Sequence, residues 1–184
     1  MQNQFRIIGG AWRSRRFTFP DVPGLRPSPD RVRETVFNWL APVIDGARCI
    51  DLFAGSGALG LEALSRGAAS CTFVDRERAA LDAIAGHLAR VGATGGSVEH
   101  GTVAAFLARA PTQSADVVFL DPPFDAGLVA PTLAALAAGA WLAPDAHVYV
   151  EMEAGAEPAW PAGWRPHRSG KAGRVGYHLA VRSG

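Results

Sequence analysis

Asp51-Leu52-Phe53-Ala54-Gly55-Ser56-Gly57-Ala58-Leu59-Gly60 is the stretch that decides the fold. The apolar run over 48–53 reads as a buried strand, and the three glycines that follow open a helix over 57–66. Outward from there the pattern keeps alternating. Strands are expected at 70–74, 97–100, 116–120 and 147–151, and helices at 76–91, 102–108 and 127–138. Strands separated by helix-length segments need crossovers, so they build a parallel sheet with helices on its faces, a Rossmann-like α/β fold. The C-terminal end departs from this. Segments 164–168 and 174–182 flank a tight loop over 169–173, and Val175, Tyr177, Leu179 and Val181 alternate with polar or small residues. They predict an antiparallel hairpin that closes the sheet edge. At the other end, 6–10 and 15–19 read as two short strands around Gly9-Gly10. A Pro/Gly-rich connector over 20–29 follows, then a helix to Leu40 capped by Ser28 or Asp30, with Val32, Val36, Phe37 and Leu40 on one face.

The chain has 184 residues and is 48% hydrophobic, enough for one domain with a small appendage and too apolar for disorder. Residues 1–29 form the appendage and 30–184 the main domain. Cys49 and Cys71 precede apolar runs without metal-ligand spacing and read as small buried hydrophobes in a reducing compartment. The first residues carry no long apolar segment, and no run approaches roughly 18 apolar residues, so a soluble, cytoplasmic protein is expected, with no membrane partner. The five histidines show no metal spacing, and no metal site is expected. Net charge is +1 but unevenly spread: +5 over 1–33, −9 over 34–163 and +5 over 164–184. An acidic body with basic ends suits a catalytic domain that grips a polyanion with its termini.

Two motifs carry chemistry. In the loop, glycines let backbone pass close to a ligand. Asp51 at its start suits a cationic group and would repel a dinucleotide pyrophosphate. Asp75, at the end of the next strand, suits paired ribose hydroxyls, as it would in a nicotinamide enzyme. The second motif is Asp121-Pro122-Pro123-Phe124, directly after the apolar run Val117-Val118-Phe119-Leu120. Two consecutive prolines fix φ and remove two amide donors. The oxygens of Asp121 and Pro122 are then free to accept hydrogen bonds from an exocyclic amine, and Phe124 offers a ring for a base to stack on, a contact worth roughly 1–3 kcal/mol. A base in structured nucleic acid must be turned out to reach such a slot. Together the motifs predict methyl transfer from S-adenosylmethionine to an exocyclic base nitrogen, with catalysis mainly by positioning.

These residues carry a family resemblance. The tetrapeptide with the 51–60 loop resembles the class I amino-methyltransferases. Arg6-Ile7-Ile8-Gly9-Gly10-Ala11-Trp12-Arg13 and the run from Gly24-Leu25-Arg26-Pro27-Ser28-Pro29-Asp30-Arg31 to Leu40 resemble the bacterial RsmD-type 16S ribosomal RNA (guanine-N2) methyltransferases over nearly the whole chain. The resemblance implies S-adenosylmethionine as donor and guanine 966 of 16S rRNA as target, in assembled or assembling 30S particles. Contacts to ribosomal proteins and a monomeric enzyme are expected. It implies that Asp121, Pro122, Pro123 and Phe124 form the guanine slot. It also implies that Asp51, Phe53, Ala54, Gly55, Gly57, Asp75, Arg76, Thr102 and Asp121 hold the cofactor. Thr102 stands where the family commonly has Asp or Asn.

Arg13, Arg15, Arg16, Arg26, Arg31 and Arg33 are the expected RNA contacts, with Lys171 and Arg174 on the last hairpin. Some residues near 26–34 are alternatively braces of the cofactor pocket, with Glu34 as an ion-pair partner. Trp12 and Trp39 are expected to pack rather than stack on bases. The open alternatives are an amino-methyltransferase of adenine or cytosine in DNA or another RNA, an RNA-binding assembly factor that holds the cofactor without turnover, and a nicotinamide oxidoreductase.

Overall fold

The computed structural model describes residues 3–183; the expected segment limits at Met1, Gln2 and Gly184 lie outside them. A seven-stranded sheet is assembled from β3 (Arg48–Leu52), β4 (Ser70–Asp75), β5 (Gly96–His100), β6 (Ala115–Leu120), β7 (Leu142–Glu153), β8 (Trp164–Ala172) and β9 (Val175–Arg182), after a separate two-stranded hairpin of β1 (Gln4–Arg6) and β2 (Arg16–Thr18). The helices are α1 (Asp30–Leu40), α2 (Ala58–Ser65), α3 (Arg78–Val91), α4 (Val103–Leu107) and α5 (Val129–Ala138). The strand order is β5-β4-β3-β6-β7-β9-β8, with β9 antiparallel to both neighbours and the rest parallel. Among the described residues no helix is long and apolar enough to cross a membrane.

This order places a switch point between β3 and β6. From β3 the chain moves outward through β4 and β5, then crosses back to β6 on the other side. Crossovers that leave in opposite directions open a crevice at the carboxyl ends of the two strands. The register sets those ends side by side, with Asp51 opposite Phe119 and Leu52 opposite Leu120.

Both faces of the sheet are covered, so the central strands are apolar on both sides. Val117 and Phe119 enter one core with Phe5, Phe17, Val36, Phe37, Leu81 and Ile84. Val118 and Leu120 enter the other with Val103, Phe106, Leu133, Leu136, Trp141 and Trp164. The N-terminal hairpin therefore shares the first core. Cys49 and Cys71 are buried and unbridged, and Trp39 packs on Tyr177 with ring centroids 5.4 Å apart.

The boundaries differ from expectation in informative ways. The first strand stops at Arg6 because the amides of Ile8 and Gly9 go to the Glu62 carboxylate, at 2.9 and 2.8 Å, instead of extending the ladder. At Gly10 (φ 78°) a Cβ would stand 1.8 Å from the Ser65 carbonyl oxygen, so only glycine lets the hairpin tip reach α2. Neither Ser28 nor Asp30 caps α1, whose N-cap is Pro29 without a side-chain bond. The final hairpin turns at Gly173-Arg174, so Ser169, Gly170 and Lys171 are strand residues rather than loop.

Candidate active site

A cavity of about 950 Å³ occupies the crevice, a size suited to one nucleotide-like ligand. Its floor is the end of β3 and the turn after it, in which Phe53 takes a left-handed conformation (φ 64°) and Gly55 follows at φ 53°. A non-glycine residue held there is strained and persists only where its surroundings over-determine it, a feature that gathers at functional sites.

Asp51 lines this floor. It is 1% exposed, and one carboxylate oxygen accepts the Gly60 amide at 2.9 Å. Burial pushes its carboxyl well above the ordinary carboxylate range, the Gly60 amide opposes this, and the charges of Asp75 and Glu151 push it further up. Asp75 accepts the Gly55 amide on one oxygen at 2.7 Å and the Glu77 amide on the other at 2.8 Å. It thus ties the loop after β3 to the start of α3. Each oxygen keeps a further lone pair for a ligand hydroxyl.

Asp121 continues from β6 into the same cavity, followed by Pro122, Pro123 and Phe124, which opens a short 3₁₀ turn over Phe124–Ala126. Pro122 is buried; Phe124 is 39% exposed at the rim, one of two large apolar side chains so exposed among the described residues. Beside Asp121, on the neighbouring strand, Glu151 reaches in from β7 and is 2% exposed. Ser28 Oγ lies 2.5 Å from Glu151 Oε1 and 3.4 Å from Asp121 Oδ2, so one hydroxyl bridges both acids. Burial raises the Asp121 carboxyl strongly, with further pushes from Glu151 and Asp51 and only Ser28 opposing. Glu151 is raised too, again by burial, but Ser28, Tyr149 and Arg33 oppose it. Burial thus raises both acids of this adjacent pair, Asp121 with less opposition than Glu151.

The connector 22–29 forms the roof. Val22 to Pro29 all line the cavity, and Leu25 stands over Gly55. It is fixed from below by Arg33, which is fully buried. Its guanidinium donates to the carbonyls of Ser28 (3.1 Å) and Arg6 (2.9 Å), to Asp30 (2.6 Å) and to Glu62 (3.3 Å). Arg33 is thus a brace, which corrects its reading as an RNA contact. Its acidic partners are Glu62 and Asp30; among the described residues Glu34 makes no ion pair.

Phe53, Ala54, Gly55, Arg76 and Thr102 all line the cavity. Thr102 also caps α4, its Oγ1 accepting the Ala105 amide at 3.2 Å. Gly57, at the loop's end, also packs closely, since a Cβ there would stand 2.8 Å from Ile84 of α3. Gly60 likewise admits the Phe73 ring and the Cys71 sulfur. The glycine spacing reflects how α2 beds onto its neighbours as much as what the loop binds. Arg13, Arg15, Arg16 and Arg31 are exposed and outside the cavity; Arg26 and Arg174 are exposed and flank its mouth from the roof and the last hairpin. Lys171 is exposed on the edge strand β8.

Glu62 and Glu151 were not singled out by sequence reasoning, and Ser28 only as a helix cap. Glu151 had a signal: it ends the expected strand 147–151, and the carboxyl ends of strands in such sheets carry the ligand site. Ser28 had none, since its bond partners lie 93 and 123 positions away.

The comparisons agree with this architecture. A protein-family model described as "Conserved hypothetical protein 95" matches residues 5–181. Ribosomal RNA small subunit methyltransferase D of Escherichia coli K12 is 50% identical over 180 residues, 97% of this chain and 90% of the relative. The protein of the same name in Haemophilus influenzae Rd is 38% identical over 181 residues, 97% and 94% of the two chains. The solved structure of a putative methyltransferase, yhhF, from Escherichia coli superposes with a TM-score of 0.91 at 48% identity, covering 98% of this chain and 99% of that one. With the tetrapeptide, the acidic strand ends and the roofed crevice in place, the chain belongs to the family of the ribosomal RNA small subunit methyltransferases D.

Proposed function

We propose that this protein transfers a methyl group from S-adenosylmethionine to the exocyclic N2 amine of a guanine, guanine 966, in 16S rRNA of assembled or assembling small-subunit particles. One observation carries the reading: Asp121-Pro122-Pro123-Phe124, after the strand next to β3, opens into the same crevice as Asp51, Gly55 and Asp75.

The cavity suits the cofactor by its chemistry. Asp51 is a buried acid with no ion-pair partner among the described residues, crowded by two more acids; a cationic amino-acid end relieves that repulsion. Asp75 accepts the ribose hydroxyls. Phe53, Val103 and Leu107 give an apolar wall for an adenine ring, and Thr102 and Arg76 stand at its edge. When bound, S-adenosylmethionine supplies an electrophilic methyl group on a sulfonium.

The remaining work falls to the protein. The guanine amine donates one N–H to the Asp121 carboxylate and one to the Pro122 carbonyl. No amide competes for these acceptors, because Pro122 and Pro123 have none. Pinning both protons turns the nitrogen lone pair toward the cofactor side of the cavity. That is catalysis by orientation, the type of contribution that collapses when positioning is lost. Phe124 at the rim stacks on the turned-out base. Methyl transfer would break the sulfonium–methyl bond, leave S-adenosylhomocysteine and shed one amine proton, for which Asp121, bonded to that nitrogen, is the acceptor at hand.

Residues 1–29 act as the basic extension that orients the RNA, and 30–184 as the catalytic domain. Arg13, Arg15, Arg16 and Arg31 contact phosphates away from the cavity, Arg26 and Arg174 hold RNA beside its mouth, and Lys171 meets it from the edge strand β8. Mass spectrometry of rRNA from a strain lacking the gene tests the proposal. Loss of a single N2-methylguanine at position 966 is expected, and unchanged rRNA modification refutes it.

A further inference from the structure

We propose that Glu151 is a second base-reading group: its free oxygen accepts the N1–H of the target guanine, and this contact selects guanine over bases whose ring nitrogen at that position carries no proton. The proposal rests on the guanine-N2 reading above and adds a residue to it.

The argument starts from an unusual burial. Glu151 is 2% exposed and forms no ion pair among the described residues. Carboxylates are rarely buried without a paired cation, because desolvating the charge is costly. Here two neutral hydroxyls bond the carboxylate, and the Arg33 charge helps from nearby without pairing. Ser28 Oγ at 2.5 Å and Tyr149 OH at 2.9 Å both donate to Oε1.

The asymmetry is the second observation. Both donors meet one oxygen, and among the described residues none is directed at Oε2. Yet the one buried side-chain polar atom without a partner among the described residues is His178 Nε2. Oε2 is therefore not sealed inside the core. Glu151 lines the cavity, so the surface that Oε2 retains is cavity surface. The side chain is anchored through one oxygen and presents the other.

The third observation is its company. Ser28 joins Glu151 to Asp121 through a single hydroxyl. The amine slot and the Glu151 oxygen are thus neighbouring acceptors on one wall. The Ser28 carbonyl is held by Arg33 Nε at 3.1 Å, so the bridge is itself fixed and the acceptors are pre-organised.

A wall of adjacent acceptors reads an edge of adjacent donors. Guanine presents N1–H beside its N2 amine. Adenine and cytosine present a lone pair beside theirs, which would face the Glu151 oxygen with no proton between them. That mismatch is the repulsive element that specificity requires. Accepting the N1–H also draws electron density toward the amine and raises its nucleophilicity.

The test uses small-subunit particles reassembled on 16S rRNA that carries either guanine or 2-aminopurine at the methylated position. 2-Aminopurine keeps the amine and lacks the N1 proton. Single-turnover transfer is measured for the wild type and for Glu151→Gln, whose amide donates to the 2-aminopurine N1. Calorimetric binding of S-adenosylhomocysteine and thermal unfolding report on folding. The wild type should prefer guanine by at least about a hundredfold, as sites built around a hydrogen bond do. Glu151→Gln should narrow that preference by at least about tenfold, through slower transfer to guanine and faster transfer to 2-aminopurine. An unchanged ratio in a variant that still binds S-adenosylhomocysteine overturns the proposal, as does a wild type indifferent to the two bases. If Glu151→Gln does not fold, Ser28→Ala decides. Losing one of the two anchors should narrow the preference in the same direction, and an unchanged ratio again overturns it. Failure of the wild type to methylate either base would instead sink the guanine-N2 reading itself, and the role of Glu151 with it.

Discussion

Replacing Arg33 by methionine should destabilise the protein by about 3–5 kcal/mol, the usual cost of breaking a buried ion pair from one side. The structure places this substitution within that range. Arg33 is fully buried and serves four acceptors, two carbonyls and two carboxylates. The Asp30 bond adds little, because that carboxylate is half exposed, and exposed pairs are worth about 0–1 kcal/mol. Most of the cost falls on Glu62, also fully buried. It would keep the amides of Ile8 and Gly9 and the Arg66 guanidinium but lose its deepest cation. The Ser28 carbonyl would lose its donor too, loosening the roof over the cavity. Methionine fills much of the volume, so the loss reads as electrostatic rather than as a cavity. In a chain of this length each kcal/mol moves Tm by about 2–4 °C, so a drop on the order of 10 °C is expected by calorimetry. Arg33→Lys should recover only part of it, since an ammonium cannot span the same fork. A Tm shift under about 2 °C for Arg33→Met would refute the bracing role and return Arg33 to the list of RNA contacts.

Asp121→Asn should abolish transfer yet stabilise the protein without ligand by about 1 kcal/mol, the ordinary size of a single stabilising change. The Asp121 and Asp51 carboxyls are raised on folding, so the native state binds their protons more tightly than the unfolded chain; stability from this source is fully present below the unfolded pKa and is lost as pH rises through the raised values. Urea titrations of wild type and Asp121→Asn across that window should converge at low pH and separate toward neutrality. Activity runs the opposite way. Transfer should fall as pH drops through the raised Asp121 value, above the range of an ordinary carboxylate, because the protonated acid is a poorer acceptor; a profile flat down to pH about 4 would count against Asp121 as the acceptor. Gly60→Ala forces a Cβ to 2.3 Å from the Phe73 ring and should cost about 1–3 kcal/mol by denaturant melt. Changing Arg13, Arg15 and Arg16 together to alanine should weaken particle binding and flatten its salt slope by up to about three, measured as binding against salt concentration; an unaltered slope removes the hairpin tip from the interface.

The parallel sheet was legible because its central strands are apolar on both faces and helix-length segments separate them, although β5, Gly96–His100, is polar and buries none of its residues. The acids at 51, 75 and 121 were legible because each ends such a strand. Arg33 was misread for the opposite reason. A lone arginine in a basic stretch looks solvated, and only the fold brings Glu62 from 29 positions away to bury it. The packing of Gly57 was not legible, because a glycine that admits a ligand and one that admits a neighbouring isoleucine leave the same trace in a sequence. The connector over 20–29 read as a spacer, since proline and glycine mark irregular backbone without saying what it covers.

The most direct test of the account combines purified protein, small-subunit particles from a strain lacking the gene and S-adenosylmethionine with a deuterated methyl group, followed by digestion and mass spectrometry of the nucleosides. The account predicts one deuterated N2-methylguanosine per particle with the wild type, and none with an Asp121→Ala variant that still binds the cofactor. Label on any other base, or undiminished label with Asp121→Ala, would contradict it.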